Sequence, residues 1–515
     1  MGGGAATEGR PYKYVAAHRG CQLAVAPRRS QRAVGKLMRR AKIVATIGPA
    51  SESEDKLRAL MAAGMDVARV NMSHGKRSHH GEVIQRIRRI AAEMNRPVGI
   101  MLDLSGPKIR TGTLRGGEAV LEDGAEVRIT TEQIEGDATR FSANYSSLAR
   151  DVKPGDRILL SDGELELRAL STTATDVVAL VIHGGKLGEH KGINLPGAQL
   201  STPSITEKDI IDLKFGVEQG IDIVAQSFVR RAEDCLQARR LIDELGSKAR
   251  LIAKIEKPEA IDDFANILEA SHGVMVARGD LAVETSTERV PVLQKQIIRE
   301  ALIAEKQVIT ATQMLQSMID NPTPTRAEAS DVSNAILDGS DAVMLSGETA
   351  IGGYPVESVA MMNRIICATE EMGEPAGQLM RLEAASRRSG SNSRAIAEAA
   401  SFAAEEIGCR LIVVVTRSGF MARRIAAVRP KQRIIAFTEI EQTRSQLAAV
   451  WGVEPYLPHP GDDSSEDLLV RADRSLLEYK LADRGESVVV MAGQLADKSL
   501  SKSMKIHTVG ELTGG

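Results

Sequence analysis

Two acidic side chains and one amine follow short apolar runs in this sequence and could hold a metal ion beside an anion. Lys254 and Glu256 lie at the end of the run Leu251–Ile255, and Asp280 comes shortly after the next run, Gly273–Ala277. Because residues i and i+2 of a strand point to the same side, Lys254 and Glu256 face the same way. Mg²⁺ commonly takes one or two carboxylates, so Glu256 and Asp280 are candidate ligands. Lys254 would then stabilise negative charge developing on a substrate oxygen.

Polar side chains also follow the neighbouring apolar runs, and their types suit a bound anion. A lone acid is more often solvated or caps a helix, a lone arginine more often lies on the surface, and His74 by itself is more often a capping or hydrogen-bonded residue. Because strand ends gather on one rim of a barrel, we nevertheless favour a shared site. The polar ends are Arg69–His74, Asp103, Gln226–Ser227, Arg278–Asp280, Thr310–Gln313 and Ser346–Thr349.

Phosphate groups would be bound by basic side chains rather than by a nucleotide-binding loop. The sequence has no GxxxxGK[ST] motif and no GxGxxG motif after a strand, which argues against a P-loop or Rossmann site. Arg69, Arg110 and a lysine of the segment after Pro107 are candidates, since arginine makes paired hydrogen bonds to phosphate. Gly279 and Asp280 open a loop whose N–H groups could bind a carboxylate.

Eight strand patterns, each followed by a helical pattern, position these residues. Eight such units in about 250 residues predict a (β/α)8 TIM barrel, whose active site lies at the carboxyl ends of the strands. A doubly wound parallel sheet is the alternative, but it usually has fewer strands. Ser51 or Ser53 is the expected N-cap of the first helix. The predicted strands are Lys42–Ile47, Val67–Asn71, Val98–Asp103, Ile221–Gln226, Leu251–Ile255, Gly273–Ala277, Gln307–Ala311 and Asp341–Leu345.

The pattern changes along the chain divide it into an α/β barrel and two further domains. We assign residues 38–108 and 204–380 to the barrel. Residues 109–203 carry short alternating runs between turn signals, which predict a small β-barrel lid inserted into it. A loose segment at 384–391 predicts a linker, and residues 381–515 predict a C-terminal α/β domain.

The first 37 residues differ from the rest of the chain. They carry seven Lys or Arg against one acid and show no apolar periodicity, which predicts a disordered basic extension. A transit peptide is an alternative, although the stretch is poor in Ser and lacks an amphipathic helix. We expect Met38 to be the natural start, which mass spectrometry of the native protein would test.

The composition is that of an ordinary globular protein and argues against several functional classes. Of 515 residues, 43% are hydrophobic and 26% charged. A net charge of -2 argues against a dedicated nucleic-acid binder, and no run reaches the roughly 18 apolar residues of a membrane helix. The four cysteines have no CxxC spacing, so we expect reduced thiols, no zinc site and a cytoplasmic location.

The motifs at the strand ends resemble those of the pyruvate kinase family, and they occur in the same order from Lys42 to the C-terminus. Together they are highly specific. The similar segments are Lys42–Ser51, Ala68–Gly75, Leu102–Gly112, Ile252–Glu256, Met275–Asp280, Ala311–Leu315, Pro324–Glu328 and Met344–Thr349.

The resemblance implies a catalytic barrel, an inserted lid and a C-terminal regulatory domain, usually assembled as a homotetramer. It implies the glycolytic reaction of phosphoenolpyruvate with ADP, which gives pyruvate and ATP through an enolate that is then protonated. The implied cofactor is Mg²⁺, with Mn²⁺ as a substitute.

The resemblance also implies roles for individual residues. Glu256 and Asp280 would ligate Mg²⁺, and Lys254 would stabilise the transferring phosphoryl group and the enolate. The proton donor stays unassigned between Thr312 with a water and Ser346, and Asp162 would move toward the site as the lid closes. The other implied contacts are Arg69, Lys254, Gly279, Asp280 and Thr312 for phosphoenolpyruvate, and Asn71, His74, Arg110 and Lys191 for the nucleotide.

One departure from many relatives bears on the monovalent cation. Members that depend on K⁺ carry a threonine after the strand-three aspartate and a glutamate where this chain has Lys108, whereas Leu104 and Lys108 resemble the K⁺-independent members. A tethered ammonium can supply the charge that K⁺ otherwise provides, so we expect no K⁺ requirement. Asn71, Ser73 and Asp103 are therefore only doubtful cation ligands.

A second departure lies in the C-terminal domain. The loop Thr416–Ala422 stands where relatives bind effector phosphates at a helix N-terminus. Phe420 and Met421 replace the hydroxyl or basic residues common there. A sugar phosphate or AMP is an open candidate for the effector, and fructose bisphosphate is not favoured.

Two other functions compete with the kinase interpretation. Another metal-dependent barrel that acts on pyruvate enolates, such as an aldolase or mutase, would not need the lid or the nucleotide contacts at Arg110 and Lys191. A silent metabolite-binding paralogue would not be expected to keep the complete set Lys254, Glu256 and Asp280 with Arg69 and Thr312.

Overall fold

In a computed structural model of the protein, the described residues are 39–198, 200–373, 391–459, 468–492 and 503–512. The predicted basic extension lies outside them, as does nearly all of the predicted linker at 384–391. Three parallel strands come first, and among their residues only Arg69 and Asn71 are not buried. These strands and the two helices between them are β1 Lys42–Thr46, α1 Glu54–Ala63, β2 Val67–Asn71, α2 Arg77–Glu93 and β3 Gly99–Asp103.

Short local signals set the start and end of the first helix. Ser53, rather than Ser51, is the N-cap of α1, and its side chain accepts a hydrogen bond from the Lys56 N–H at 3.4 Å. Gly64 ends the helix with φ of 129°, in the region that glycine adopts most readily.

The segment after β3 forms the lid. Its strands make a six-stranded sheet in the order β11-β7-β8-β9-β5-β6 and a two-stranded sheet of β10 and β4, and both surround one apolar core. The elements are β4 Glu118–Leu121, β5 Glu126–Thr130, β6 Arg140–Ser142, α3 Leu148–Asp151, β7 Arg157–Leu160, β8 Leu165–Thr172, β9 Asp176–His183, β10 Gly185–Gly188 and β11 Ile193–Asn194, with 3₁₀ turns at Arg115–Gly117 and Ser161–Gly163.

Five further parallel strands close the barrel. The order around it is β1-β16-β15-β14-β13-β12-β3-β2. The elements are α4 Glu207–Glu218, β12 Ile223–Gln226, α5 Ala232–Glu244, β13 Arg250–Ile255, α6 Pro258–Asp262, α7 Phe264–Ala270, β14 Gly273–Ala277, α8 Arg278–Glu284, α9 Val290–Ile303, β15 Gln307–Ala311, α10 Arg326–Asp338, β16 Ala342–Leu345, α11 Gly347–Ala350 and α12 Pro355–Glu371, with 3₁₀ turns at Thr287–Arg289 and Gln316–Ile319.

The closed barrel confirms the predicted fold and excludes the doubly wound sheet. Its strands read as nearly continuous apolar runs because they are covered on both faces. One apolar cluster fills the interior, and a larger one lies between the strands and the surrounding helices. The predicted strands Val98–Asp103, Ile221–Gln226 and Asp341–Leu345 each begin one or two residues too early. In the last case the extra residue is Asp341, whose side chain instead accepts a hydrogen bond from the Val308 N–H.

The C-terminal domain is a five-stranded sheet covered by helices. The strand order is β19-β18-β17-β20-β21, and only β21 is antiparallel to its neighbour. Two apolar clusters lie on its two faces. The elements are α13 Asn392–Ile407, β17 Leu411–Val415, α14 Phe420–Ala427, β18 Arg433–Phe437, α15 Glu441–Leu447, β19 Val453–Tyr456, α16 Leu468–Glu478, β20 Ser487–Ala492 and β21 Ser503–Thr508.

Neither a membrane helix nor a disulfide is found in the described ranges. No helix there has the length and apolar character needed to cross a bilayer. Cys235 and Cys409 are free thiols. Burial raises the pKa of Cys235 to about 12, so this thiol is inert at neutral pH.

Candidate active site

A network of charged side chains lies at the carboxyl ends of β2, β3, β12 and β13. One oxygen of the Asp103 carboxylate accepts a hydrogen bond from Arg69 Nε at 2.7 Å, and the other lies 3.3 Å from Lys254 Nζ. Lys254 also donates to Ser227 Oγ at 2.7 Å and lies 2.9 Å from Glu256 Oε1. Asp103 therefore fixes an arginine of one strand and a lysine of another in a single arrangement.

The protonation states in this network follow from burial and from its paired charges. Burial would raise the pKa of Asp103, which is 1% exposed, but Lys254 and Arg69 hold that pKa below its ordinary value. Burial would lower the pKa of Lys254, but Asp103 and Glu256 outweigh it and raise this pKa. At neutral pH the network therefore presents a charged ammonium and a charged guanidinium.

Glu256 is placed to hold a cation. Burial raises the pKa of its carboxyl group, Lys254 opposes the rise, and the negative charge of Asp280 adds to it. One carboxylate oxygen is further fixed by a hydrogen bond from the Phe228 N–H at 2.9 Å. A buried carboxylate with a second acid nearby is stabilised when a cation joins them.

The donor set of Glu256 and Asp280 fits Mg²⁺. This ion usually takes one or two carboxylates and fills its other positions with waters and substrate oxygens. Throughout the described part of the chain there is no group of three or more His, Cys, Asp or Glu that could hold a metal ion.

Asp280 lies in the first turn of α8, beside a strained turn after β15. The N–H of Gly279 donates to Thr312 Oγ1 at 2.9 Å, and Thr312 has φ of 67°, which is unfavourable for a β-branched residue. The guanidinium of Arg278 holds this turn, since it donates to the Thr312 carbonyl at 3.2 Å and to Asp331 at 2.7 Å. Gly279 and Thr312 are therefore brought together, and Asp280 follows Gly279 in the chain.

The lid contacts the barrel close to these residues. Lys108 Nζ lies 3.9 Å from Asp162 Oδ1 of the lid. Asn194 of β11 donates to Glu284 at 2.8 Å, and Lys257 Nζ lies 2.6 Å from the same carboxylate. Glu284 ends α8, so the lid is attached to the helix that carries Asp280.

A positively charged region surrounds His74, between the barrel and the lid. Burial lowers the pKa of His74, and the charges of Arg110, Lys108 and Arg69 lower it further, so the ring is neutral at physiological pH. The backbone N–H of Arg110 donates to Asn144 Oδ1 of the lid at 2.8 Å. This grouping suits the phosphates of a nucleotide.

Three predicted site residues stand apart from the network. Asn71 Oδ1 accepts a hydrogen bond from the Ser73 N–H at 3.1 Å and so closes a local turn. Lys191 is exposed, and its side chain lies against Gly188 of the lid. Ser346 follows β16, where its N–H donates to Glu348 at 2.7 Å.

Two hydroxyl groups in the network had no role assigned from the sequence. Thr46, the last residue of β1, accepts a hydrogen bond from Arg69 Nη1 at 2.9 Å and donates to the Leu345 carbonyl. Ser227 accepts from Lys254 and donates to the Leu104 carbonyl at 2.7 Å. Their position at the ends of strands indicates that they lie near the site. Serine and threonine are too common, however, for residue type alone to identify these two as site residues.

The predicted effector loop forms a turn before α14. The Gly419 N–H donates to Thr416 Oγ1 at 3.0 Å, and Gly419 has φ of 70°. Phe420 begins the helix, and the Arg424 guanidinium lies 5.1 Å from the centre of its ring. Phe420 and Arg424 therefore contact each other beside the loop.

Comparison with known proteins identifies the family. The models "Pyruvate kinase, barrel domain" and "Pyruvate kinase, alpha/beta domain" match residues 38–359 and 394–507. The chain is 44% identical over 480 residues to the pyruvate kinase of Mycobacterium tuberculosis (strain ATCC 25618 / H37Rv), which covers 92% of this chain and 99% of the relative. It is 42% identical over 476 residues to that of Corynebacterium glutamicum, with 92% and 98% covered. With this site and these two matches, the chain belongs to the pyruvate kinase family.

Proposed function

We propose that the protein transfers the phosphoryl group of phosphoenolpyruvate to ADP and releases pyruvate and ATP. The observation that carries this proposal is the network of Arg69, Asp103 and Lys254, with Glu256 and Asp280 beside it. It offers two fixed cations for a phosphate and two carboxylates for a divalent ion. Phosphoryl transfer depends mainly on such positioning and charge neutralisation.

Each residue of the site would have a separate role in the reaction. Arg69 would bind the phosphate of phosphoenolpyruvate, and the N–H groups around Gly279 would orient its carboxylate together with Thr312. Lys254 would stabilise the phosphoryl group as it moves and the enolate oxygen after it has left. Because Asp103 holds Lys254 and Arg69 in place before substrate arrives, little reorganisation is needed during the reaction.

Glu256 and Asp280 would hold Mg²⁺, or Mn²⁺ in its place. When bound, the ion supplies positive charge to the substrate oxygens that the two cationic side chains do not neutralise. The affinity for the ion should fall as the pH is lowered, because a protonated Glu256 cannot ligate it. Burial raises the pKa of Glu256, so this loss should begin at a higher pH than for an ordinary glutamate.

The nucleotide would bind between the barrel and the lid. His74, Arg110 and Asn71 lie on the barrel side, and Lys191 would reach the phosphates only after a movement of its side chain or of the lid. Closure of the lid, with Asp162 moving toward the site, would exclude water and limit hydrolysis. The enolate would then be protonated with Thr312 and a water, or Ser346, as the candidate donor.

We further propose that activity does not require K⁺. Both oxygens of Asp103 already face cationic side chains, and Asn71 is engaged with the Ser73 N–H. Lys108 lies in the positive region around His74 and would supply the charge otherwise provided by K⁺. The Lys108 side chain is 34% exposed, which would leave it accessible to a nucleotide phosphate.

We also propose that the protein assembles as a homotetramer, that it is located in the cytoplasm and that an effector binds at residues 416–422. The effector would be a sugar phosphate or AMP. The tetramer is proposed from the family resemblance, and size-exclusion chromatography with light scattering would test it. Titration of the activity with each candidate effector would test the loop.

A coupled assay of pyruvate formation tests the catalytic proposal. Phosphoenolpyruvate and ADP with Mg²⁺ should give pyruvate and ATP in equal amounts, and omission of either ADP or the divalent ion should stop the reaction. Pyruvate formation that does not depend on ADP would point to another enolate enzyme. No turnover with a folded protein would favour a metabolite-binding paralogue.

A further inference from the structure

A cavity of about 320 Å³ lies at the amino ends of the barrel strands, between the barrel and the C-terminal domain. It is at the opposite end of the strands from the catalytic network. Its walls include Arg250, His272 and Lys306 from the barrel and Phe420, Arg423 and Trp451 from the C-terminal domain.

The amino ends of three other barrel strands show a repeated arrangement that is altered at this cavity. The residue just before each of β2, β12 and β16 is an aspartate that accepts a backbone N–H of a neighbouring strand. Each aspartate is paired with an arginine at 2.6–2.8 Å, and Asp66 has a second arginine, Arg96, at 3.9 Å. The pairs are Asp66 with Arg39, Asp222 with Arg88 and Asp341 with Arg429.

Before β14, the corresponding residue is His272. Its Nδ1 accepts the Leu251 N–H at 2.9 Å, so the backbone hydrogen bond is kept. Burial, together with Arg250 and other nearby cations, lowers the pKa of His272 to about 3, so the ring is neutral. Because Nδ1 is an acceptor, the neutral ring carries its proton on Nε2 and can donate there. The negative charge present at the other three strands is thus missing here.

Three of the cations at the cavity, Arg250, Lys306 and Arg423, have no ion pair with a carboxylate among the described residues. Arg250 Nε and Arg423 Nη1 are buried and have no hydrogen-bond partner in the described part of the chain. Arg423 Nη2 donates to the Ser418 carbonyl, and Lys306 Nζ donates to the Ser271 carbonyl, both of them neutral groups. Burial and neighbouring arginines lower the pKa of Arg250 to about 9. Such unpaired buried donors are costly unless an anion binds them.

The acids that line the cavity are already paired. Glu305 lies against both Arg394 and Arg424, and Asp341 is bound to Arg429 at 2.8 Å. The charge is therefore not balanced by the lining residues themselves.

We propose that this cavity binds a phosphate dianion, either inorganic phosphate or the phosphate group of a small monoester. Arg250, Lys306 and His272 would bind it from the barrel and Arg423 from the C-terminal domain. The site is separate from the catalytic network and does not rest on the proposed reaction. Arg423 also holds the Ser418 carbonyl, so an anion here would connect the barrel to the turn that precedes α14.

Calorimetric titration of the full chain with inorganic phosphate, at constant ionic strength, tests this site. We expect binding to the unaltered protein and at least a tenfold loss of affinity in Arg250→Gln and in Arg423→Gln. Arg240→Gln, an exposed position paired with Glu233, removes the same charge elsewhere and should bind normally. No binding to the unaltered protein at 10 mM phosphate (about ten-thousandfold above micromolar affinity), or equal binding by all variants, would overturn the proposal.

A variant that supplies the missing charge gives an independent test. His272→Asp recreates the arrangement of the other three strands, so it should raise the melting temperature without phosphate and abolish phosphate binding. A melting temperature that falls, with phosphate binding retained, would contradict the proposed charge deficit. Titration with ribose 5-phosphate distinguishes the two possible ligands, a phosphate monoester and the free phosphate ion. Tighter binding of ribose 5-phosphate than of inorganic phosphate indicates a monoester, and equal affinities indicate the free ion.

Discussion

Replacement of Lys254 by methionine is the most direct test of the catalytic network. The substitution keeps a long side chain but removes the ammonium that lies 2.9 Å from Glu256 and 3.3 Å from Asp103. Loss of one preorganised donor at a developing charge typically lowers kcat by about 10²–10³, or about 2.7–4 kcal/mol. We expect a decrease of at least that size, with a smaller change in the KM for phosphoenolpyruvate because Arg69 still binds its phosphate.

The same substitution should also lower stability. Removal of one partner from a buried ion pair costs about 3–5 kcal/mol. Here Glu256 can take up a proton, since burial already raises its pKa, so the loss should lie at or below the lower end of this range. Thermal unfolding followed by circular dichroism would measure it.

Lys42→Met provides a matched control. Lys42 is also a buried lysine on a barrel strand, but it lies at the amino end of β1, where its Nζ donates to the Val453 carbonyl at 2.8 Å. This variant should lose stability while kcat stays within about threefold, as expected for a hydrogen bond remote from the reacting atoms. A folded Lys254→Met protein whose kcat remained within tenfold of the unaltered value would refute the role assigned to the ammonium.

Three further predictions concern the surroundings of the site and the base of the barrel. Ser227→Ala removes the hydroxyl that orients Lys254 but leaves both carboxylates, so steady-state kinetics should show a decrease in kcat of about tenfold. The free energy of unfolding should fall by about 1–3 kcal/mol, because the buried Leu104 carbonyl loses its donor. The unaltered protein should be active in K⁺-free buffer, and a requirement for K⁺ would contradict this prediction. The Lys108→Glu variant should lose activity in the same buffer. Addition of KCl, but not of LiCl, should partly restore the activity of this variant. The folded-state pKa of His272, about 3, lies below its unfolded value, so stability should fall as the pH drops below about 6.5, by at most about 1.4 kcal/mol per pH unit. His272→Asn keeps an acceptor for the Leu251 N–H and should remove this dependence of stability on pH. Urea unfolding of both proteins at two pH values would measure it. An unchanged pH dependence would show that another group titrates.

The catalytic end of the barrel was largely predictable from the sequence because it depends on local periodicity. Apolar runs of four to six residues mark the strands, and the barrel topology places every carboxyl end on one rim. Alternation along β13 then directs Lys254 and Glu256 to the same side. Gly279 and Thr312 follow adjacent strands, and in the structure Gly279 N donates to Thr312 Oγ1.

The detailed pairing within the site could not be predicted in the same way. Asp103 was considered as a doubtful cation ligand, whereas it holds Arg69 and Lys254 through its two oxygens. Thr46 and Ser227 gained roles only from their neighbours on other strands. Side-chain direction and partner choice depend on contacts between residues that are more than a hundred positions apart, such as Asp103 and Lys254.

The sequence by itself determined the order of strands and helices, the rim on which the polar residues gather and the family resemblance, because each of these depends on short-range patterns. Tertiary structure alone decided that the Lys191 side chain lies against Gly188, that the lid is attached to α8 and that buried arginines at the base of the barrel lack a carboxylate partner within the described ranges. An arginine without a carboxylate partner cannot be recognised until the chain has placed every acid, since charge compensation is a property of three-dimensional neighbourhoods.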